Sequence, residues 1–469
     1  MNKLSKSTIT KTLIGIGVIL VLLLLAWLLW PKRYDEMIPA QAKAVIRIDP
    51  QQLMQQNSTK RDKILKRIAQ ANSCLDLSQP IYGVVTPNEY LCVVAKVKNE
   101  DNIKVMLSNI EGKTVDIEDE DSRHWTWLAD GWLASWDDKS FLCIGPGVAQ
   151  ERDVLRQTIS SMVNSDDKFV DSPAFKTLKE QPSAMQVYAQ LDAIPTPYNM
   201  LLRFSVPADC DPAAIQIFAS TEVAFNNGEC NISKLSCNIT SENADIVAAI
   251  DDYEKQKGCI ELNDEGTINN TLFCLATRTQ GKPLLQLLKT DATLRGLLMG
   301  LNQTFDADRL LGSTNGLFSI EIGSFAKDWT PAFCMKAETH TPNLFADADY
   351  WMECARKQKN VTLKQCAANE FFLSNDKQQL NFGEQMKHSF IYFVSPSMKE
   401  KMNVPFVAKK SNKASGTLVF FHINTQLLNN QPCMKQGQTA SLIHKLLPNA
   451  SHGITYTAQM GRKASLIVE

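Results

Sequence analysis

The chain has 469 residues, of which 44% are hydrophobic and 21% charged. This length and composition suit two globular domains of roughly 200 residues that each bury a core. Residues 34–469 carry 44 Lys and Arg against 50 Asp and Glu, a net charge of −6. Because a protein that binds nucleic acid needs a basic surface to neutralise phosphates, we expect no nucleic acid among its partners.

Residues 12–30 are uncharged and rich in Leu, Ile and Val. As a helix they span roughly 28 Å, close to the hydrocarbon thickness of a bilayer. Trp27 and Trp30 lie at the far end, where indoles favour the interface, and three lysines precede the run. We therefore predict a cytoplasmic segment at 1–11, a single-pass signal anchor in the inner membrane at 12–30, a linker at 31–39, and the remainder in the periplasm.

Other interpretations of the apolar run fit less well. A cleaved signal peptide is one of them, because Ala40-Gln41-Ala42 has the small-x-small form of a cleavage site. That site lies far beyond the apolar run and after four charges. No cysteine follows closely enough for a lipoprotein, and a buried core helix of this length without a polar face is unusual.

Apolar periodicity and turn signals predict an α+β order of elements after the linker. The predicted strands of the first half lie at 42–49, 81–85, 90–97, 185–191 and 215–239, and its helices at 61–71, 101–110 and 148–163, with another after Ser172-Pro173. The second half repeats this order, with strands at 271–277, 317–322, 332–339, 417–424 and 453–468 and helices at 283–301 and 343–356.

The stretch Trp132–Gly145 predicts a β-hairpin with a polar turn at Asp137-Asp138-Lys139. The same pattern returns 238 residues later, at 372–383. On that offset the following pairs coincide: Asp138 with Asp376, Lys139 with Lys377, Leu142 with Leu380, and Gly145 with Gly383. We predict an internal duplication, with two tandem related modules at 40–250 and 265–469. Both modules would follow a single N-terminal transmembrane helix, and each would be an antiparallel sheet with helices packed on it.

The twelve cysteines include no C-x-x-C pair and no Cys/His spacing typical of zinc. Those in strand-like patterns suit small apolar core positions. Outside the cytoplasm some could form disulfides, and Cys230 with Cys237 is one plausible pair.

The N-terminal anchor followed by Pro39 and the strand Ala44–Asp49 is similar to a family of Bacteroidota envelope proteins defined as a domain of unknown function. The segment Ser172-Pro173-Ala174-Phe175 and the strand ending at Asp192 carry the resemblance further. It implies an envelope location and brings no activity and no functional residues. Many members resemble lipoproteins, and this chain departs from them because it lacks the lipobox cysteine.

Four of the eight tryptophans cluster around the hairpin: Trp125, Trp127, Trp132 and Trp136. The sequence predicts that the first two share one strand face. On the 238-residue offset their counterparts are Leu363, Gln365, Glu370 and Ser374, so the repeated fold does not need indoles there. One interpretation is an aromatic platform for an envelope protein or a glycan. The other is packing against a helix or the second module.

Chemistry beyond binding has little support. The acidic run 115–121 lacks the glycine and distal glutamate of a calcium loop, which favours a solvated loop or strand edge and no metal site. No motif of hydrolases, metalloproteases or nucleotide-binding proteins occurs. We therefore predict a non-catalytic binding or scaffolding protein of the cell envelope without a cofactor. The alternative is a divergent hydrolase of envelope polymers with its site between the modules.

Overall fold

The computed structural model describes residues 33–55, 71–181, 183–195, 199–226, 229–262, 271–290, 292–376, 379–385, 389–403, 407–411, 416–435 and 453–468. The predicted cytoplasmic segment 1–11 and anchor 12–30 lie outside these ranges, as does the predicted helix 61–71 apart from its last residue. Within them, no helix combines the length and the apolar character that crossing a bilayer requires.

The chain divides into two compact units. Unit 1 comprises Met1–Ala42 with Ala69–Ser172, and unit 2 comprises Lys43–Ile68 with Pro173–Glu469. The described parts of both are antiparallel strands with helices, as expected for α+β architecture. The division does not fall between 250 and 265, where the sequence places the junction of two modules, so those modules stay a prediction.

The strands of the described residues are β1 Ala44–Ile48, β2 Ile81–Val85, β3 Leu91–Lys96, β4 Glu118–Glu120, β5 Arg123–Trp127, β6 Leu133–Trp136, β7 Ser140–Gly145, β8 Met185–Gln190, β9 Gln216–Asn226, β10 Glu229–Thr240, β11 Cys259–Leu262, β12 Phe273–Gln280, β13 Thr314–Phe325, β14 Pro331–Thr339, β15 Thr362–Ala367, β16 Glu370–Ser374, β17 Gln379–Gln385, β18 Phe390–Val394, β19 Val407–Ser411, β20 Thr417–Ile423, β21 Ile454–Gln459 and β22 Lys463–Val468.

The α-helices are α1 Pro50–Gln55, α2 Asp101–Glu111, α3 Arg152–Asn164, α4 Pro173–Glu180, α5 Asn199–Arg203, α6 Ala244–Lys257, α7 Gly281–Thr290, α8 Ala292–Asn302, α9 Ala307–Gly312, α10 Ala348–Arg356 and α11 Thr425–Asn429. Short 3₁₀ helices lie at Tyr34–Met37, Ala129–Gly131, Ala149–Glu151, Phe169–Asp171, Leu191–Ala193, Pro212–Ala214, Pro396–Asn403 and Pro432–Lys435.

Unit 1 is built on an antiparallel sheet in the order β2–β3–β7–β6–β5–β4. Helix α3 packs on β6 and β7. Its Leu155, Ile159 and Met162 recur at helical spacing and are at most 3% exposed. Each such side chain contributes about 1.5–3 kcal/mol of hydrophobic stabilisation when fully buried.

The described part of the predicted linker belongs to the packed body of unit 1. The Tyr34 hydroxyl donates a hydrogen bond of 2.8 Å to the carbonyl oxygen of Pro80. The ammonium of Lys168 lies 2.9 Å from the carboxylate of Glu36. Met37 and Ile38 are at most 4% exposed. The prediction of a polar linker through residue 39 is therefore wrong from residue 34 onward, because every residue of 34–39 except Glu36 is buried.

Unit 2 contains one long antiparallel ladder in the order β1–β8–β9–β10–β22–β21–β20–β12–β13–β14–β18–β17–β16–β15. Strand β11 pairs with β19 and with Thr417 of β20. The core of this unit includes a group of stacked aromatic rings, among them Phe305, Phe382 and Phe393.

One strand order occurs twice in the chain. The sheet of unit 1, β2–β3–β7–β6–β5–β4, has the same order as β13–β14–β18–β17–β16–β15 in unit 2. Likewise β1–β8–β9–β10 has the order of β12–β20–β21–β22, and these two ladders join through β10 and β22.

The predicted register of the repeat disagrees with this order. The hairpin β6–β7 occupies the place of β17–β18 in the strand order. The sequence match at an offset of 238 residues instead pairs it with β16–β17. Strands β3 and β14 hold the same place in the two orders, and residues 90–95 and 332–337 match at a cysteine and an alanine, so Cys92 corresponds to Cys334. Cys92 lies opposite Ile144 and Cys334 lies opposite Val394, so the residue in the place of Gly145 is Ser395 and not Gly383. The two hairpins match in sequence because each places a glycine of its second strand against a backbone carbonyl, a local requirement that does not depend on the position of the hairpin in the sheet.

Two further expectations are corrected. The predicted helix 283–301 corresponds to two helices of the described residues, α7 and α8. Cys230 and Cys237 lie on the same extended strand, β10, and seven residues of strand span roughly 23 Å. A disulfide requires Cα atoms within about 7 Å, so this pair cannot form one. Cys237 is a free thiol.

Candidate binding face

The four predicted tryptophans do not form one exposed surface. Trp125 and Trp127 share a strand face, as predicted, because they lie opposite Ser135 and Leu133. Trp136, on β6, lies opposite His124 and points to the other face of the sheet, and Trp132 directly precedes β6. Trp125 is 3% exposed and Trp136 is 2% exposed, whereas the other two are half-buried.

The two buried indoles have structural partners. The guanidinium carbon of Arg156, on α3, lies 4.9 Å from the centroid of the Trp125 ring, and the indole N–H of Trp125 donates to the carbonyl oxygen of Glu120. The ring of Trp136 lies 5.4 Å from that of His124. These contacts correct the platform hypothesis for Trp125 and Trp136, which stabilise unit 1 and cannot contact a partner.

Trp132 borders an exposed apolar area on the sheet of unit 1. Leu91 is 50% exposed and Val93 is 37% exposed, on the same face of β3. Leu91 lies between Val85 and Gly145, and Val93 lies between Gly83 and Cys143. The Trp132 ring lies over Gly145, where an added Cβ would be 3.0 Å from the ring.

We call this area the open face. Its members are neighbouring residues of β2, β3 and β7 together with Trp132, which lies over Gly145, and all except Gly145 are exposed or half-buried: Ile81, Gly83, Val85, Leu91, Val93, Cys143, Gly145 and Trp132. Contiguous exposed apolar area of this kind marks sites of interaction more often than isolated apolar residues do.

One end of the open face is bordered by carboxylates. Glu89 lies in the turn before β3, Asp130 in the connection before β6, and Glu151 in the 3₁₀ helix after β7. These three connections lie at the same end of the sheet, because the start of β3 pairs with the end of β7, which pairs with the start of β6. Residues 86–90, 128–132 and 146–151 contain no Lys or Arg.

The turn at the other end of β6 and β7 is fixed by a buried arginine. Arg123 is 6% exposed; its Nε donates to the Ser135 hydroxyl at 3.0 Å, and its guanidinium pairs with Asp137. The second oxygen of Asp137 accepts the backbone N–H groups of Lys139 and Ser140 at 2.9 and 2.6 Å. Burial lowers the pKa of Arg123, which nevertheless stays charged at neutral pH. The polar turn predicted from sequence is thus a hydrogen-bonded support for the hairpin that carries Trp132.

The acidic run is an edge of the sheet. Strand β4 pairs with β5, and Glu118 accepts hydrogen bonds from Arg152 and Arg156 at 2.5 and 2.6 Å, which hold the pKa of this carboxyl below its usual value. Among the residues that the structure describes, no group of His, Cys, Asp and Glu has the arrangement of a metal site.

Leu91 and Val93 were missed as site residues. Their signal in the sequence is the uninterrupted run Leu91–Ala95, where a strand with one solvated face would alternate apolar and polar residues. Such a run predicts a strand buried on both faces. The structure leaves one of those faces open, which only the position of the helices reveals.

No model of a protein family matches the sequence, and no curated protein matches it either. Among solved structures, crystal form IV of TP0453 is 13% identical with a TM-score of 0.28, and the match covers 49% of this chain and 88% of that chain. Crystal form I is 14% identical with a TM-score of 0.27, covering 48% of this chain and 88% of that chain. A likeness at these values supports no inference about this chain.

Proposed function

We propose that the protein is a non-catalytic binding or scaffolding protein of the bacterial cell envelope, anchored in the inner membrane by residues 12–30, with its bulk in the periplasm. The observation that carries the binding role is the open face, an exposed apolar area bordered by carboxylates. Its envelope location rests on the apolar run and on the resemblance to the Bacteroidota family, which are both features of the sequence.

The open face suits a partner that brings apolar side chains. Leu91 and Val93 are exposed side by side, and complete burial of a side chain of this kind contributes about 1.5–3 kcal/mol. Trp132 adds a large, rigid apolar surface at its border, and tryptophan is enriched among the residues that dominate binding energy.

Charge indicates which apolar partner fits. Residues 33–42 and 71–172 carry 10 Lys and Arg against 20 Asp and Glu, a net charge of −10. The three carboxylates at the end of the open face continue this excess. A negative field repels anionic surfaces, lipid headgroups among them, and attracts basic ones. We therefore infer a protein partner with a segment in which apolar residues are flanked by Lys or Arg.

The internal duplication is part of the proposal. It is supported by the recurrence of one strand order in two parts of the chain and by the joining of β10 to β22, the last strand of each series. In the second copy the residues in the places of Leu91 and Val93 are Phe333 and Met335, which are half-buried where Leu91 and Val93 are exposed, so we place the binding role on the first copy.

The partner can be identified by site-specific photo-cross-linking in cells. A benzophenone amino acid at position 91 should cross-link to a protein segment with apolar residues next to Lys or Arg, and Val93→Ser should reduce the yield. The same amino acid at position 105, an exposed valine on α2, is the matched control. Equal labelling from both positions, or a cross-linked segment that is acidic, would contradict the proposal.

The anchor is tested separately by the fate of the chain in membranes. The full chain should stay in the membrane pellet after alkaline carbonate extraction, and a chain that begins at residue 33 should not. Alkaline phosphatase fused after Glu469 should be active, because this enzyme matures only outside the cytoplasm. An inactive fusion of a stable protein would place the C-terminus in the cytoplasm and contradict the predicted orientation.

A further inference from the structure

Unit 2 contains a small cavity of about 100 Å³ that no part of the proposed binding role uses. Its walls include Leu191, Phe204, Val206, Ile215 and Leu287, which are all at most 7% exposed. An apolar cavity of about 150 Å³ holds benzene in another protein, so this one suits a smaller apolar group.

Arg203, the last residue of α5, lies in the wall of this cavity and is half-buried. Across the described residues, its guanidinium has no hydrogen bond and no ion pair. An arginine fork matches the two oxygens of a carboxylate. The cavity thus combines an apolar interior with an unpaired donor for an anion.

Residues at the start of α7 form another part of the cavity wall. Thr279 and Pro283, on either side of the first residue of this ten-residue helix, line the cavity. These two residues and Arg203 come from separate elements, so the site depends on the fold of unit 2.

The other charged groups near the cavity have partners of their own or lie at the surface. The buried ammonium of Lys257 lies behind the wall, 5.4 Å from the Tyr253 ring and 5.7 Å from the Phe204 ring, and donates to the carbonyl oxygen of Phe204. Asp209 is exposed beside Cys210, where it helps burial to raise the pKa of that thiol. Glu254, near Lys257, accepts two backbone N–H groups at 2.8 and 2.9 Å.

We propose that this cavity binds a small monocarboxylate, with its apolar group inside and its carboxylate paired with Arg203. The same chemistry occurs in a free branched acid such as isobutyrate and at the C-terminus of a peptide that ends in valine. The site is separate from the open face and does not depend on the proposed function of that face.

Ligand-observed NMR with the full chain in detergent tests this proposal. Isobutyrate should bind, whereas its uncharged amide, isobutyramide, should bind at least about tenfold more weakly, since a hydrogen bond to a charged group contributes 1.5–3 kcal/mol. A peptide that ends in valine, compared with its C-terminal amide, separates the two sources: tighter binding of the free peptide acid than of isobutyrate indicates a peptide terminus.

Arg203→Gln should weaken isobutyrate binding by about tenfold or more, and Arg203→Lys should weaken it less. Arg295→Gln changes an exposed arginine of α8 and serves as the control that should bind as the unmodified chain does. Thermal unfolding of each variant establishes that it is folded. Equal binding of the acid and the amide, unchanged affinity in Arg203→Gln, or no detectable binding of any carboxylate would overturn the proposal.

Discussion

At the scale of single residues, the pair of Arg123 and Asp137 explains why the hairpin in unit 1 has an acidic turn. The guanidinium is buried among hydroxyls and needs a negative partner, and the same carboxylate accepts the N–H groups of the turn. Removing one partner of a buried ion pair leaves an uncompensated charge, which is among the more damaging single changes.

Asp137→Asn should therefore lower the free energy of unfolding of unit 1 by about 2–4 kcal/mol. Chemical denaturation followed by tryptophan fluorescence measures this loss, because four tryptophans lie in this sheet or beside it. Asp138→Asn, at the exposed neighbouring position, is the control and should change stability by less than about 0.5 kcal/mol. Equal effects of the two changes would show that the ion pair contributes nothing.

Lys257 should give the stability of unit 2 a dependence on pH. Burial lowers the pKa of this ammonium to about 7, below its value of about 10.4 in the unfolded chain. Between these values the unfolded chain binds the extra proton, so the free energy of unfolding should rise with pH, by a few kcal/mol at most. The loss of stability caused by burying the charged Lys257 ammonium is complete below pH 7 and disappears as the pH approaches 10.

Urea denaturation at pH 7, 8 and 9 measures this rise, and Lys257→Met should flatten it. Lys255→Met, two residues earlier on α6 at an exposed position, is the matched control and should keep the slope of the unmodified chain. An unchanged slope in Lys257→Met would contradict the assignment.

At the scale of elements, the two similar hairpins show what local sequence predicts and what it does not. In β6–β7, a Cβ added to Gly145 would lie 2.8 Å from the carbonyl oxygen of Gly131. In β16–β17, a Cβ added to Gly383 would lie 2.3 Å from the carbonyl oxygen of Asn369. The two glycines are 238 residues apart, and so are the two residues whose carbonyls they face. The sequence match between the hairpins therefore reflects one local geometry that occurs at two different places in the strand order.

Gly145→Ala should destabilise unit 1 by about 1–3 kcal/mol, because the added methyl group meets backbone that cannot rotate away. Gly112, at the end of α2, is the control: it has φ +69° but nothing within 4 Å of an added Cβ. Gly112→Ala therefore reports only the strain of the left-handed conformation, about 1 kcal/mol. A smaller loss for Gly145→Ala than for Gly112→Ala, in the same denaturation assay, would show that the close approach is not limiting.

Most strands and helices could be predicted because their signals are local. The alternation in β9 and β10 and the apolar positions Leu155, Ile159 and Met162 of α3 follow from periodicity alone. The exposure of Leu91 and the burial of Trp125 could not be predicted, because both depend on which face of the sheet the helices cover. That choice is made by tertiary packing and leaves no local signal.

At the scale of the whole molecule, binding is assigned to unit 1, which carries both the open face and a net charge of −10 in its described ranges. Residues 43–68 and 173–469 carry 35 Lys and Arg against 30 Asp and Glu, a net charge of +5. The negative field that should steer a basic partner is therefore confined to one unit. Association driven by such a field should weaken as salt is added, since exposed charges are screened within about 10 Å at 0.1 M ionic strength.

The central claim is that the open face binds a segment that is apolar and basic. Its most direct test is the affinity of the cross-linked segment, made as a synthetic peptide, for the full chain and for two double variants. We predict that Leu91→Ser with Val93→Ser weakens binding at least about tenfold, and that Val105→Ser with Ile110→Ser, which changes exposed apolar residues of α2, does not. Equal affinity in both double variants would contradict the account.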